Sequence, residues 1–116
     1  MEILAIEEFV TRQRRIGPGL AQAVISHIYE IPIDELRART RGGARAAFAR
    51  QVAMYLVHVV WGFSLTEVAE AFGRDRSTVS HACHLVEDLR DDPVFDRQMS
   101  QTELVLREAA CIEVRQ

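Results

Sequence analysis

The chain contains no lysine; all fourteen of its basic residues are arginine. A nucleotide-binding P-loop needs Gly-x-x-x-x-Gly-Lys, because its lysine reaches the phosphates, so these 116 residues hold no such ATPase module. Cysteine is scarce as well. Cys83 and Cys111 have neither the density of a disulfide scaffold nor metal-ligand spacing, and reduced thiols of a cytoplasmic protein are expected. No apolar run approaches the ~20 residues that span a bilayer. Met1-Glu2-Ile3-Leu4 lacks the basic opening and apolar centre of a secretion signal. Sustained period-two alternation, the mark of half-buried strands, is also missing. The expected class is all-α, a compact multi-helix domain.

What is present suffices for a core. The apolar fraction of 48% lets a chain of this length bury one without metal or disulfide support. The formal charge of −3 argues against a nucleic-acid partner, but its distribution argues for one. Arg37, Arg39, Arg41, Arg45 and Arg50 form a basic segment with no acid between them, while both ends of the chain are acidic.

Periodicity and punctuation divide the chain into helices. Residues 2–15 read as a short amphipathic helix with Ile3, Ile6, Phe9 and Val10 on one side, and Ile16-Gly17-Pro18-Gly19 reads as a break. A second helix follows from Leu20 to Glu30, with Leu20, Val24 and Ile28 at four-residue spacing. Ile31-Pro32 interrupts it, and Asp34 is the expected N-cap of a short helix through Arg39. Ala44 to Trp61 is the longest apolar stretch and the expected central helix, ended by Gly62. Ser64-Leu65-Thr66-Glu67 is a capping box opening a helix to Phe72. Gly73 makes a turn, Asp75 or Ser77 caps the next helix, and Val79, Ala82, Val86 and Leu89 point inward until Pro93. A last helix over residues 94–110 is expected to bury Phe95, Met99, Leu104 and Leu106. The expected organisation is an N-terminal helical extension (1–19), a central multi-helix unit (20–92) and a C-terminal helix packed on it (93–116).

Two short helices joined by a glycine turn, at residues 64–72 and 75–90, are the arrangement that presents a second helix to the major groove. The other reading of such a pair is a helical hairpin with a well-capped surface helix. Ala69 is small where the helices cross, and Arg76, Ser77, Thr78 and Ser80 form a polar opening turn able to reach bases or phosphates. Residues 20–92 resemble the C-terminal DNA-binding domain of the bacterial replication initiator DnaA. The blocks carrying the resemblance are Ala49-Arg50-Gln51-Val52-Ala53-Met54-Tyr55-Leu56, Ser64-Leu65-Thr66-Glu67-Val68 with Ala71-Phe72-Gly73, and Arg74-Asp75-Arg76-Ser77-Thr78-Val79-Ser80-His81-Ala82. The resemblance implies a Trp-repressor-like helical fold that reads short asymmetric sites, the DnaA boxes. A recognition helix enters the major groove and an arginine from a basic loop enters the minor groove.

Carried over by position, Asp75, Arg76, Ser77 and Thr78 form the base-reading group, supported by Arg74, Ser80 and His81. Arg50 holds a phosphate, the Leu65 and Thr66 amides hold another, and Arg41 and Arg45 are candidates for the minor groove. Gly42 and Ala44 stand where the family has arginines, a single Gly73 replaces a glycine pair, Arg76 replaces a histidine, and His84-Leu85 replaces a basic patch. Together with the missing ATPase module, the resemblance leads to the expectation of a free-standing reader of double-stranded DNA near the nucleoid that competes with the initiator, assists it or regulates transcription, with the initiator or a regulator as partner.

No cofactor, metal or catalytic group is expected. His81, Cys83 and His84 lack a fourth ligand, and Cys83, Tyr55 and Trp61 read as core. A second function class remains open: an interaction module that kept the fold without strong DNA binding, suggested by the acidic terminal helices.

Overall fold

The computed structural model describes residues 3–39 and 43–115. Among them every regular element is a helix: α1 (Ile3–Tyr29), α2 (Ile33–Arg37), α3 (Gly43–Trp61), α4 (Leu65–Phe72), α5 (Arg76–Leu89) and α6 (Pro93–Arg115). None is long and apolar enough to cross a membrane. The all-α class is as expected, and α3 is the central helix, touching all five others. Its sequence is apolar on nearly every side. Ala46, Ala49, Val52, Ala53, Leu56 and Val57 are fully buried, and each large side chain among them contributes about 1.5–3 kcal/mol by leaving water.

The break expected at residues 16–19 is absent: α1 runs straight through it. Pro18 lacks an amide and so forgoes the bond to the Arg14 carbonyl, which weakens a helix without forbidding it. Gly17 is a packing notch. A Cβ built there would stand 2.7 Å from Cε3 of Trp61 and 2.9 Å from its Cδ2, so the indole lies directly on the α1 backbone. Nothing lies within 4 Å of a Cβ at Gly19. Gly17→Ala is therefore expected to destabilise the fold by about 1–3 kcal/mol through overpacking. Gly19→Ala is expected to be neutral or stabilising by up to about 1 kcal/mol. Urea unfolding of the two variants checks this, and equal effects would remove the notch.

Other expectations shift in register. Ala21 and Ile25 point inward on α1, leaving Ile28 half exposed; Ile6 and Val10 are half exposed as well. The side chain of Ile3 lies outside the described residues. Asp34 is inside α2 rather than capping it, since Pro32 occupies the cap and Ala38, already extended, ends the helix before Arg39. The acids Asp34 and Glu35 in its first turn and Arg37 in its last suit the helix dipole. Leu89 on α5 is 39% exposed. In α6, which continues past Ala110, Met99, Thr102, Leu106 and Ala110 form the buried stripe. Leu104, two residues from Thr102 and Leu106 and so roughly 200° around the helix, is 59% exposed.

The end of α5 is fastened by Arg90. Its guanidinium donates to Asp96 at 2.6 Å, to Glu103, to Ser100 Oγ at 2.9 Å and to the Tyr55 hydroxyl at 3.0 Å. Tyr55 in turn donates to Glu87 at 2.7 Å. Burial opposes the arginine's charge, but its bonds to Asp96, Glu103 and Tyr55 outweigh that and raise its pKa. One side chain thus ties α5 to α3 and α6.

Candidate nucleic-acid interface

The second motif helix is held by local chemistry at both ends of α4. Ser64 is the N-cap: its Oγ accepts from the Glu67 amide at 3.1 Å, and Glu67 accepts from the Ser64 amide at 2.8 Å. Both halves of the expected capping box are formed. The box leaves the Leu65 and Thr66 amides without an acceptor among the described residues. Arg14 of α1 donates to both Glu67 oxygens at 2.9 and 3.0 Å and lies 4.5 Å over the Phe63 ring. The Ser64 amide, helped by Arg14, holds the Glu67 carboxyl below its ordinary pKa. The charge beside those two amides is therefore already paired.

At the other end Gly73 adopts φ 63°, ψ 40°, a left-handed conformation that side chains with a Cβ rarely take. The Gly73 amide bonds Glu70 O and the Arg74 amide bonds Ala69 O, the pair of contacts that closes a helix in a Schellman turn. The turn consists of Gly73, Arg74 and Asp75. Asp75 sits at the N-cap of α5, yet its carboxylate makes no capping bond. Ser77 is already inside the helix. Val68 of α4 and Val79 and Ala82 of α5 are fully buried, with Phe72 packed against them, so the helices cross where the sequence places them.

Of the twelve residues singled out from the sequence, Asp75, Arg76, Ser77, Thr78 and His81 are exposed on or just before the first turns of α5, with Ser80 half buried beside them. The positive end of the helix dipole faces outward through this turn. Leu65 and Thr66 offer their amides at the start of α4. Arg50 and Arg74 are engaged within the protein: Arg50 donates to Leu36 O at 2.7 Å and Glu35 O at 3.0 Å, and Arg74 donates to Ala38 O at 2.8 Å. Burial first, and then the neighbouring Arg74, lower the pKa of Arg50. Arg45 turns to the Tyr29 carbonyl at the end of α1, in a groove that α6 also lines. Arg41 lies outside the described residues.

Two further residues lie outside those twelve. Arg14 reaches its partner across 53 positions, so no local pattern announces it. Arg39 belongs to the basic segment and is exposed without a partner among the described residues. Among the described residues no cluster of three or more His, Cys, Asp or Glu side chains is placed to hold a metal. Cys83 is half buried, and burial, aided by Glu87, pushes its thiol up to about 11.

Residues 20–86 match the family described as bacterial dnaA protein helix-turn-helix. The chain is 44% identical over 99 residues to the chromosomal replication initiator protein DnaA of Acinetobacter baumannii, in strains AYE and SDF among others. The match covers 82% of this chain and 20% of the relative, so the chain spans about a fifth of the length of the curated relatives it matches. A solved structure described as a DNA replication initiation factor superposes on 94% of this chain, and on 32% of its own, with TM-score 0.64 and 26% identity. The matched helix-turn-helix is a binding module, distinct from any catalytic one.

Proposed function

Because the chain belongs to the bacterial DnaA helix-turn-helix family, we propose that it binds double-stranded DNA at DnaA-box-like sites and acts in chromosomal replication initiation or its control. The observation that carries this is the opening of α5: Asp75, Arg76, Ser77 and Thr78 stand exposed on a helix fixed across α4 by Gly73. Those side chains can reach base edges, while the Leu65 and Thr66 amides at a helix N-terminus suit a phosphate. Reading is assigned to residues 20–92. Helices α1 and α6 buttress that unit, through Arg14 on Glu67, Trp61 on Gly17 and the bonds of Arg90. Its place of action is the nucleoid, with the initiator as the natural partner or competitor for the same sites.

Fluorescence anisotropy against a DnaA-box duplex and a scrambled duplex, over a series of salt concentrations, tests the reading. With ~4–6 phosphate contacts, log affinity for the box is expected to fall with log salt at a slope of about −4 to −5. The box should be preferred to the scrambled duplex at every salt. Absence of binding to either would leave the fold serving protein contacts instead.

A further inference from the structure

Helix α2 is only five residues long, too short to persist by its own backbone bonds. Its exit is fastened by guanidinium groups from elsewhere in the fold. Arg50 on α3 takes the Glu35 and Leu36 carbonyls, and Arg74 takes that of Ala38 across 36 positions. Arg37 is anchored separately, donating to the largely buried Gln22 of α1 at 2.7 Å. The backbone of Arg74 is itself immobilised, since its amide closes the turn on Ala69 and the next residue caps α5. Arg74 is thus a strut between the start of the recognition helix and the C-cap of α2. Beyond that cap the chain leaves in an extended conformation, with Ala38 at ψ 143°, straight into the exposed Arg39.

We propose that Arg74 is a positioning residue: by holding the Ala38 carbonyl it sets Arg39 at a fixed offset from Arg76, so that both arginines meet one duplex as a rigid pair. The inference rests on the DNA-binding reading above. It assigns Arg74 a role through Arg39, where simple carry-over from the family's motif would give it a contact of its own. Two preorganised contacts on one rigid surface avoid the ordering cost that a loose basic arm would incur at each encounter.

A double-mutant cycle on the box duplex tests it, using Arg39→Ala, Arg74→Gln and the pair. Arg39→Ala alone is expected to weaken binding about 10-fold, as loss of one charge-assisted contact does. In the Arg74→Gln background the same change is expected to cost less than about 2-fold, because Arg39 is already displaced. In the free protein, amide exchange at residues 36–38 should quicken in Arg74→Gln while protection in α3 stays as it was. Should Arg74→Gln fold poorly, Arg74→Lys keeps a donor for Ala38, and there Arg39→Ala should again cost about 10-fold. Losses that multiply, with the salt slope of the pair falling by a further ~1, would overturn the proposal in favour of a separate phosphate contact by Arg74. So would an Arg39→Ala variant that binds like the parent. A parent chain that binds neither duplex removes the underlying DNA reading and this proposal with it, an outcome plainly different from multiplied losses.

Discussion

Replacing Arg90 with methionine is expected to destabilise the fold by about 3 kcal/mol. The side chain is 16% exposed, and so is that of Glu103, its partner. Methionine fills the space of the aliphatic stem but leaves Glu103 charged and largely out of water, with Arg107 at 3.9 Å the one remaining cation paired with it among the described residues. Removing one member of a buried pair costs about 3–5 kcal/mol for this reason. The lower end applies because Asp96 is 49% exposed and water can take over its share. For a chain of this length, 3 kcal/mol corresponds to a fall in Tm of roughly 12 °C. The double variant Arg90→Met, Glu103→Leu should recover a large part of the loss, since no buried charge is left alone. Thermal and urea unfolding of both variants is the measurement. A loss below about 1 kcal/mol in the single variant would place the contact among ordinary surface pairs.

How far each feature was legible follows from the range of the interactions that make it. The capping box at Ser64, the left-handed Gly73 and the inward register of Val79, Ala82 and Val86 all lie within a few residues of the atoms they satisfy. Those signals are written locally, and the motif could be placed on its helices from residue order alone. Gly17-Pro18-Gly19 carries the same letters as a turn, yet it is helical, with Trp61 packed on Gly17 from the far end of α3. Tertiary packing overrode the local preference. The family resemblance marked Arg50 and Arg74 as DNA contacts by position, and gave no sign of their carbonyl bonds within the protein. Their acceptors, in α2 and at its C-cap, lie 14 to 36 residues away, a distance at which no spacing rule operates. Half-exposed apolar residues such as Ile6, Val10 and Leu104 show the same limit. Which flank of a long helix meets the core depends on where its neighbours cross it.

Arg76→Ala should leave stability within about 0.5 kcal/mol of the parent, because the side chain is exposed on the first turn of α5. Affinity for the box duplex should nevertheless fall by about 1–3 kcal/mol, roughly 5- to 150-fold, which is the worth of a bidentate contact between an arginine and a guanine edge. The two quantities separate a reading residue from a structural one. Discrimination should relax at a single base pair, with scrambled DNA bound almost as well as by the parent and the salt slope reduced by no more than ~1. Arg76→His, which restores the residue found in the family signature, should move the preferred base at that position. An imidazole lacks the planar fork with which arginine selects guanine. Arg76→Lys keeps the charge but offers a compact ammonium, so it should retain the salt dependence and lose selectivity. Equal losses on box and scrambled duplexes would show that Arg76 acts as a general phosphate anchor. Base reading would then have to come from Asp75, Ser77 and Thr78, and the Asp75 carboxylate, uncommitted to capping, would be the next to replace.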